Sequence, residues 1–266
     1  MKVCICAIAK NENNYIREWV EWHKNIGISK IFLYDNNDMD GERFEDVIND
    51  YIESNFVEVI SLLRGVSTGN RQSNAYIDCY KNKCLDYDWC AFIDIDEFIN
   101  TNGEDISAIL SDNIYLKYNA IRLYYKMYKD DNIITINNCY NVKKRFKSFY
   151  ISNYGKSIIK TNLNINFIAP HGSREAEPSC DELGNYVTYL SDCSKISNNI
   201  PTFNKMWIDH YSFKSLEEYI NKMNRGYPNF PKGENPPYLS LKWFFSINGK
   251  TPEKLAYLKS IGIDYE

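Results

Sequence analysis

The chain has no Cys-x-x-Cys pair, no apolar run near the ~20 residues that cross a bilayer, and no long run of one charge sign. It has only three histidines, His23, His171 and His210. The missing Cys-x-x-Cys argues against a zinc ribbon or a thioredoxin-type dithiol. A formal net charge of −4 argues against a nucleic-acid binder, which carries a basic patch. One basic cluster exists, Lys143–Lys144–Arg145 with Lys147, and it reads as the solvated edge of a strand. The opening run MKVCICAIAKNEN is too short for a signal-peptide core and passes at once into a loop. The expectation is a soluble, cytoplasmic chain with reduced thiols, in which Cys4 and Cys6 are small core residues.

What is present is ordinary for a globular protein. Hydrophobic residues are 44% and charged residues 25% of 266, enough for a core of normal size without disulfides. Aromatics reach 15%, including 22 Tyr, and exposed Tyr and Trp can stack on sugar rings.

Apolar periodicity orders the first part of the chain. Val3–Ile8, Lys30–Tyr34, Val57–Ile60 and Trp89–Ile93 read as strands. Tyr15–Asn25, Phe44–Ser54 and Gln72–Leu85 read as helices between them, with Gly27 closing the first. Strict alternation of this kind implies an α/β fold with a mostly parallel sheet and helices on both faces. Ligands bind such sheets beyond the carboxyl ends of the strands. The polar segments Lys10–Asn14, Asp35–Asp40 and Asp94–Glu97 all fall there. Beyond residue 100, short strands are expected at Ala120–Tyr128, Ile133–Thr135, Val142–Phe146, Gly155–Lys160 and Asn166–Pro170. Helices follow at Ser215–Arg225, opened by a Ser215/Glu218 capping box, and at Thr251–Ile261, with a Pro/Gly-rich loop Gly226–Pro237 between them.

The strongest local signal is Ala91–Phe92–Ile93–Asp94–Ile95–Asp96–Glu97–Phe98. An apolar strand delivers carboxylates at its end. In extended chain Asp94 and Asp96 would point to one side, about 7 Å apart, and could share a hard divalent cation. Such a cation can bridge a diphosphate and neutralise a leaving nucleotide.

This D-x-D-E-F motif resembles the metal-binding signature of GT-A glycosyltransferases. Ala7–Ile8–Ala9–Lys10–Asn11–Glu12, Ile16–Arg17–Glu18–Trp19 with His23, and Phe32–Leu33–Tyr34–Asp35–Asn36–Asn37 resemble the family-92 group and its bacterial family-2-like relatives. So do Tyr154–Gly155–Lys156–Ser157, Pro170–His171, His210–Tyr211, Lys214–Ser215, Glu218–Tyr219, Lys222 and Arg225–Gly226.

The resemblance implies a single GT-A domain over residues 1–266. Residues 1–100 would be its nucleotide half, and 101–266 an acceptor half with C-terminal helices. It implies transfer of a hexosyl group from a nucleoside-diphosphate sugar, a UDP-sugar first, to a glycan hydroxyl with inversion. Mn²⁺ or Mg²⁺ would assist. A lipid-linked acceptor would bring the chain to the inner face of the membrane. Donor contacts map to Ala7, Ala9, Lys10, Asn11, Glu12, Asp35, Asn36 and Arg71. Asp96 and Asp94 map to the metal, with Asp94 also facing ribose. His210 is the third metal ligand and His171 its competitor. Lys156, or Lys214 at the start of the 215–225 helix, would hold diphosphate. The base for inversion is open among Glu175, Glu177 and Asp181, with Asp209 as a further alternative. Two other functions stay open: a sugar-nucleotide nucleotidyltransferase, although the first loop lacks its glycines, and a non-catalytic glycan-binding relative.

Overall fold

A computed structural model describes residues 1–62, 70–136, 139–189, 196–197, 200–226 and 235–265. Cys193 and most of the Gly226–Pro237 loop lie outside the described residues. The chain divides into two compact units. One comprises Met1–Lys126 and Ile151–His210, the other Met127–Tyr150 and Tyr211–Glu266.

The first unit opens with β1 (Val3–Ala9), α1 (Asn13–Asn25), β2 (Lys30–Asp35), α2 (Glu45–Glu53), β3 (Val57–Ser61), α3 (Arg71–Asn82) and β4 (Trp89–Phe92). β1 pairs in parallel with β2 and with β4, and β2 with β3. Val3, Cys4, Ile5, Cys6 and Ala7 are wholly buried, as a central parallel strand requires. α1 turns Tyr15, Ile16, Trp19, Val20 and His23 inward. Gly27 then takes φ +94°, where a side chain would be strained.

Beyond β4 the sheet becomes mixed. β5 (Glu97–Asn100) leaves the β4 end through a turn and pairs antiparallel with β11 (Trp207–His210). β6 (Ala120–Tyr128) and β7 (Phe149–Lys160) follow, with β7 antiparallel to β4. Short strands β8 (Ser179–Cys180), β9 (Tyr186–Tyr189) and β10 (Ile196–Ser197) complete the order β10-β9-β8-β6-β7-β4-β1-β2-β3, while a short helix α4 (Ile106–Leu110) follows β5. The segment Asn166–Pro170 is not a strand. It makes one isolated bridge, Ala169 to Gly172.

The second unit holds α5 (Val142–Arg145), α6 (Leu216–Arg225), α7 (Leu241–Asn248) and α8 (Pro252–Ser260) around Phe213, Leu216, Tyr219, Phe244 and Leu258. Val142–Phe146 is thus a helical turn and not a strand. Asn141 caps it by accepting from the Lys144 N–H at 2.9 Å. Its supposed solvated edge is also corrected in part: the Arg145 side chain is only 7% exposed and grips Glu218 through two bonds of 2.6 and 2.7 Å. Ile133–Thr135 forms no strand because its carbonyls are spent on α6: Ile133 O and Ile134 O accept from Leu216 and Glu217. The Ser215/Glu218 capping box is present. Among the described residues, no helix is long and apolar enough to cross a membrane.

Candidate active site

The acidic segment is a turn and not an extended strand end. The Glu97 N–H reaches Asp94 O at 3.1 Å, and Glu97 Oε2 accepts from the Asp94 N–H at 2.9 Å. Glu97 closes this turn while β5 departs toward β11, so Asp94 and Asp96 do not share one face of a strand. Their environments differ accordingly. The Asp94 carboxylate accepts from Gln72 at 2.7 Å, Tyr76 at 3.3 Å and the Lys156 ammonium at 2.9 Å. Asp96 Oδ1 instead lies 3.6 Å from His210 Nε2.

Glu97, absent from the expected site, is its buried centre. Its Oε1 accepts from the Tyr125 hydroxyl at 2.7 Å and lies 3.8 Å from His210 Nδ1, and its Oε2 lies 3.4 Å from Lys156. Burial raises the Glu97 carboxyl above its ordinary value, against the opposing pull of Lys156 and His210. Burial works to lower Lys156, but Asp94 and Glu97 outweigh it and its pKa is raised. Lys156 is therefore a buried cation committed to two carboxylates, not an exposed diphosphate clamp. Its neighbour is constrained as well: a Cβ on Gly155 would stand 2.0 Å from Leu123 O, so β7 can lie this close only with glycine there.

The three histidines separate by their bonds. His23 Nδ1 donates to Trp19 O at 2.8 Å, and its Nε2 accepts from the Ile99 N–H at 3.2 Å, so it is a packing residue of α1 on β5. His171 Nδ1 donates to Gly155 O at 2.9 Å. Burial, with repulsion from Lys156, pushes His171 down to about 4. His210 Nδ1 is buried with no hydrogen-bond partner.

That orphaned nitrogen tests the site for a divalent ion. A histidine that ligates through Nε2 turns its Nδ1–H toward a carboxylate, and here Glu97 lies behind it. Asp96 and His210 fit an ion in this way. Asp94, Asp96 and His210 do not bring three ligand atoms within 4.8 Å of one another among the described residues. Asp94 is held by Lys156 instead.

On the donor side, the loops after β1 and β2 are tied together. Asn36 N–H donates to Ala9 O at 2.9 Å, Asn11 N–H to Asn37 Oδ1 at 2.7 Å, and Lys10 pairs with Asp38 at 2.9 Å. Asp35 Oδ1 accepts from the Asn37 N–H at 2.8 Å. Ala7 is wholly buried in β1, and Glu12 O accepts from the Tyr15 and Ile16 N–H groups at the start of α1. Arg71 donates to Asn36 Oδ1 at 2.8 Å. These two residues line a cleft of about 680 Å³ with Asn37, Asp38, Asn74 and Asp78. The cleft lies at the carboxyl ends of β2 and β3.

The remaining candidates are occupied locally. Asp181 accepts from the Leu183 and Asn185 N–H groups at 2.9 Å. Glu177 accepts from the Ser179 N–H at 2.9 Å, and Asp209 from Trp207 at 2.8 Å and Asn100 at 3.0 Å. Glu175 is exposed and accepts from the Asn166 N–H through one oxygen. In the second unit, Lys214 is buried with φ +54°. The first backbone N–H groups of the helix after it are already bonded, Ser215 and Glu218 to each other's side chains and Leu216 and Glu217 to Ile133 and Ile134. That end of the helix therefore offers none of these four donors to a diphosphate. Tyr125, Gln72 and Tyr76 were not visible as site residues, since nothing near them in sequence marks them as neighbours of the acidic turn.

Comparison with known proteins places the chain. The sequence model of glycosyltransferase family 92 matches residues 1–228. A glycosyltransferase family 92 protein of Oryza sativa is 32% identical over 101 residues, 38% of this chain and 16% of its own length. One from Ricinus communis is 32% identical over 100 residues, 37% of this chain and 17% of its own length. The chain thus matches about a sixth of the length of these curated relatives. Among solved structures, S. aureus TarS 1–349 aligns with a TM-score of 0.46 and 13% identity, over 80% of this chain and 61% of that one. The same fragment with UDP aligns at 0.43 and 16%, over 75% and 61%.

Proposed function

This chain belongs to glycosyltransferase family 92, and from that premise we propose that it moves a hexosyl group from a UDP-sugar to a glycan hydroxyl with the help of Mn²⁺ or Mg²⁺. The observation that carries the reading is the acidic turn at the end of β4, where Asp96 faces His210 at 3.6 Å and His210 Nδ1 stays buried without a partner. Asp96 and His210 would hold the ion, which supplies positive charge against the departing diphosphate. Glu97 lies 3.8 Å behind His210 Nδ1, where it would orient the ring toward the ion, and is itself fixed by Tyr125 and by the Asp94 N–H. Asp94, anchored by Gln72, Tyr76 and Lys156, keeps α3 and β7 against the turn. The Asn36–Arg71 cleft is of a size to take the nucleoside, with Arg71 and the side-chain amides as its hydrogen-bonding groups.

Inversion requires a carboxylate to take the acceptor proton as the glycosidic bond breaks. Glu175 is the exposed one of the three candidates and keeps an oxygen outside its bond to Asn166. The test is a panel of UDP- and GDP-sugars with Mn²⁺, Mg²⁺ or EDTA. It is read by nucleotide release and thermal shift, with the product anomer identified by NMR. Release of UDP only with metal, and an inverted anomer, is the expected result. Stabilisation by a nucleoside triphosphate plus a sugar phosphate would instead favour a nucleotidyltransferase, and no response to any nucleotide a binding protein.

A further inference from the structure

Five cysteines from distant positions pack into one buried cluster beneath α3. Cys4 comes from β1, Cys90 from β4, Cys79 from α3, and Cys84 from the 3₁₀ turn Cys84–Asp86. A cysteine that merely fills a core touches hydrocarbon. Here sulfur meets sulfur: Cys84 Sγ lies 3.7 Å from Cys4 Sγ and 3.6 Å from Cys79 Sγ. The sulfurs of Cys4, Cys84 and Cys90 all lie within 4.8 Å of one another. A tetrahedral zinc site with bonds of about 2.3 Å sets its sulfurs roughly 3.8 Å apart, close to the 3.7 Å between Cys4 and Cys84.

We propose that Cys4, Cys84 and Cys90 supply three thiolates to a soft divalent ion of the zinc class, with the Cys79 sulfur beside Cys84. One divalent ion replaces three thiol protons, which pass to solvent, and the site is left with a single negative charge. The Cys79 sulfur lies 3.6 Å from Cys84 Sγ, where a thiol proton would spread that charge once Cys84 is a thiolate. All four residues are wholly buried, so the ion enters as the chain folds. Thiolate selects against Mg²⁺ and Mn²⁺, which separates this site chemically from the Asp96–His210 pair. Its role is to staple the 3₁₀ turn that follows α3, the helix carrying Arg71, Gln72 and Tyr76, to the two central strands.

The test is metal content. The chain is produced in zinc-supplemented medium, treated with EDTA, passed through gel filtration and analysed by plasma and native mass spectrometry. About one zinc per chain should survive in the wild type and in His210→Ala, and be lost in Cys84→Ser. Should Cys84→Ser not fold, wild-type protein produced with cobalt decides the matter. A near-ultraviolet thiolate-to-cobalt charge-transfer band supports the site, and no band overturns it. Wild-type protein free of zinc, or an intact mass lighter by the two hydrogens of a disulfide, also overturns it. Loss of zinc in His210→Ala would overturn it too, because the ion would then belong to the acidic turn.

Discussion

The Tyr125 hydroxyl donates to Glu97 Oε1 at 2.7 Å, across the 28 residues between β6 and the acidic turn. Burial raises the pKa of both groups, and their hydrogen bond gives the buried carboxylate one of its few donors. Tyr125→Phe deletes that donor and leaves the rest of the ring in place. The expected loss is about 1–3 kcal/mol of stability, read from urea unfolding. An unchanged midpoint and slope would mean that Glu97 does not depend on this bond.

Asp94 and Asp96 should separate in their mutants. Asp96→Ala should lower kcat by about 10²-fold or more while the circular dichroism spectrum stays native, because a metal ligand contributes several kcal/mol to charge stabilisation. Asp94→Asn should act on stability first, since Lys156 is buried and loses a charged partner. If Asp94→Asn abolished metal binding and Asp96→Ala left it intact, the two roles assigned to them would be reversed.

Gly155→Ala is expected to cost about 1–3 kcal/mol, because its Cβ would meet the Leu123 carbonyl oxygen at 2.0 Å, and backbone must move to admit it. Gly155 O also accepts from His171. Thermal melts of this variant report the strain, and a midpoint equal to wild type would show that β6 and β7 can part without cost.

The nucleotide half was legible because its strands are buried on both faces. Val3–Ala9 and Trp89–Phe92 stand out as apolar runs, and α1 shows its buried face at intervals of three and four. β5 and β11 carry no such mark. Glu97–Asn100 and Trp207–His210 are short and bond to each other across more than a hundred residues, so neither announces its partner. Their pairing places His210 beside Glu97. Asp96 and His210 are named through the family resemblance, which carries no sign of the buried glutamate behind them. Val142–Arg145 misled through its β-branched first residue. A local cap from Asn141 and a distant ion pair decide for helix there.

That ion pair gives a test of its own. Arg145 and Glu218 are almost fully buried in the second unit, and Ser215 adds two further bonds to Glu218. Arg145→Met keeps the volume and removes the charge. Breaking a buried pair from one side costs about 3–5 kcal/mol, the serine donors tending to keep it at the lower end. Chemical denaturation measures it, and a loss below about 1 kcal/mol, the range of exposed pairs, would mean that water reaches Glu218.

His171 makes stability depend on pH in a defined direction. Unfolded, it titrates near 6.5, whereas burial and Lys156 push it down to about 4 in the fold. Between those values the unfolded chain holds a proton that the native chain does not, so stability rises with pH. The contribution is complete above about 6.5 and is lost as the pH falls toward 4. A gap of that size is worth roughly 3 kcal/mol. Urea unfolding of wild type and His171→Asn across this window isolates it. Subtracting the two curves should leave a rise confined to the interval. A flat difference would show that His171 is as accessible to protons in the fold as in the open chain.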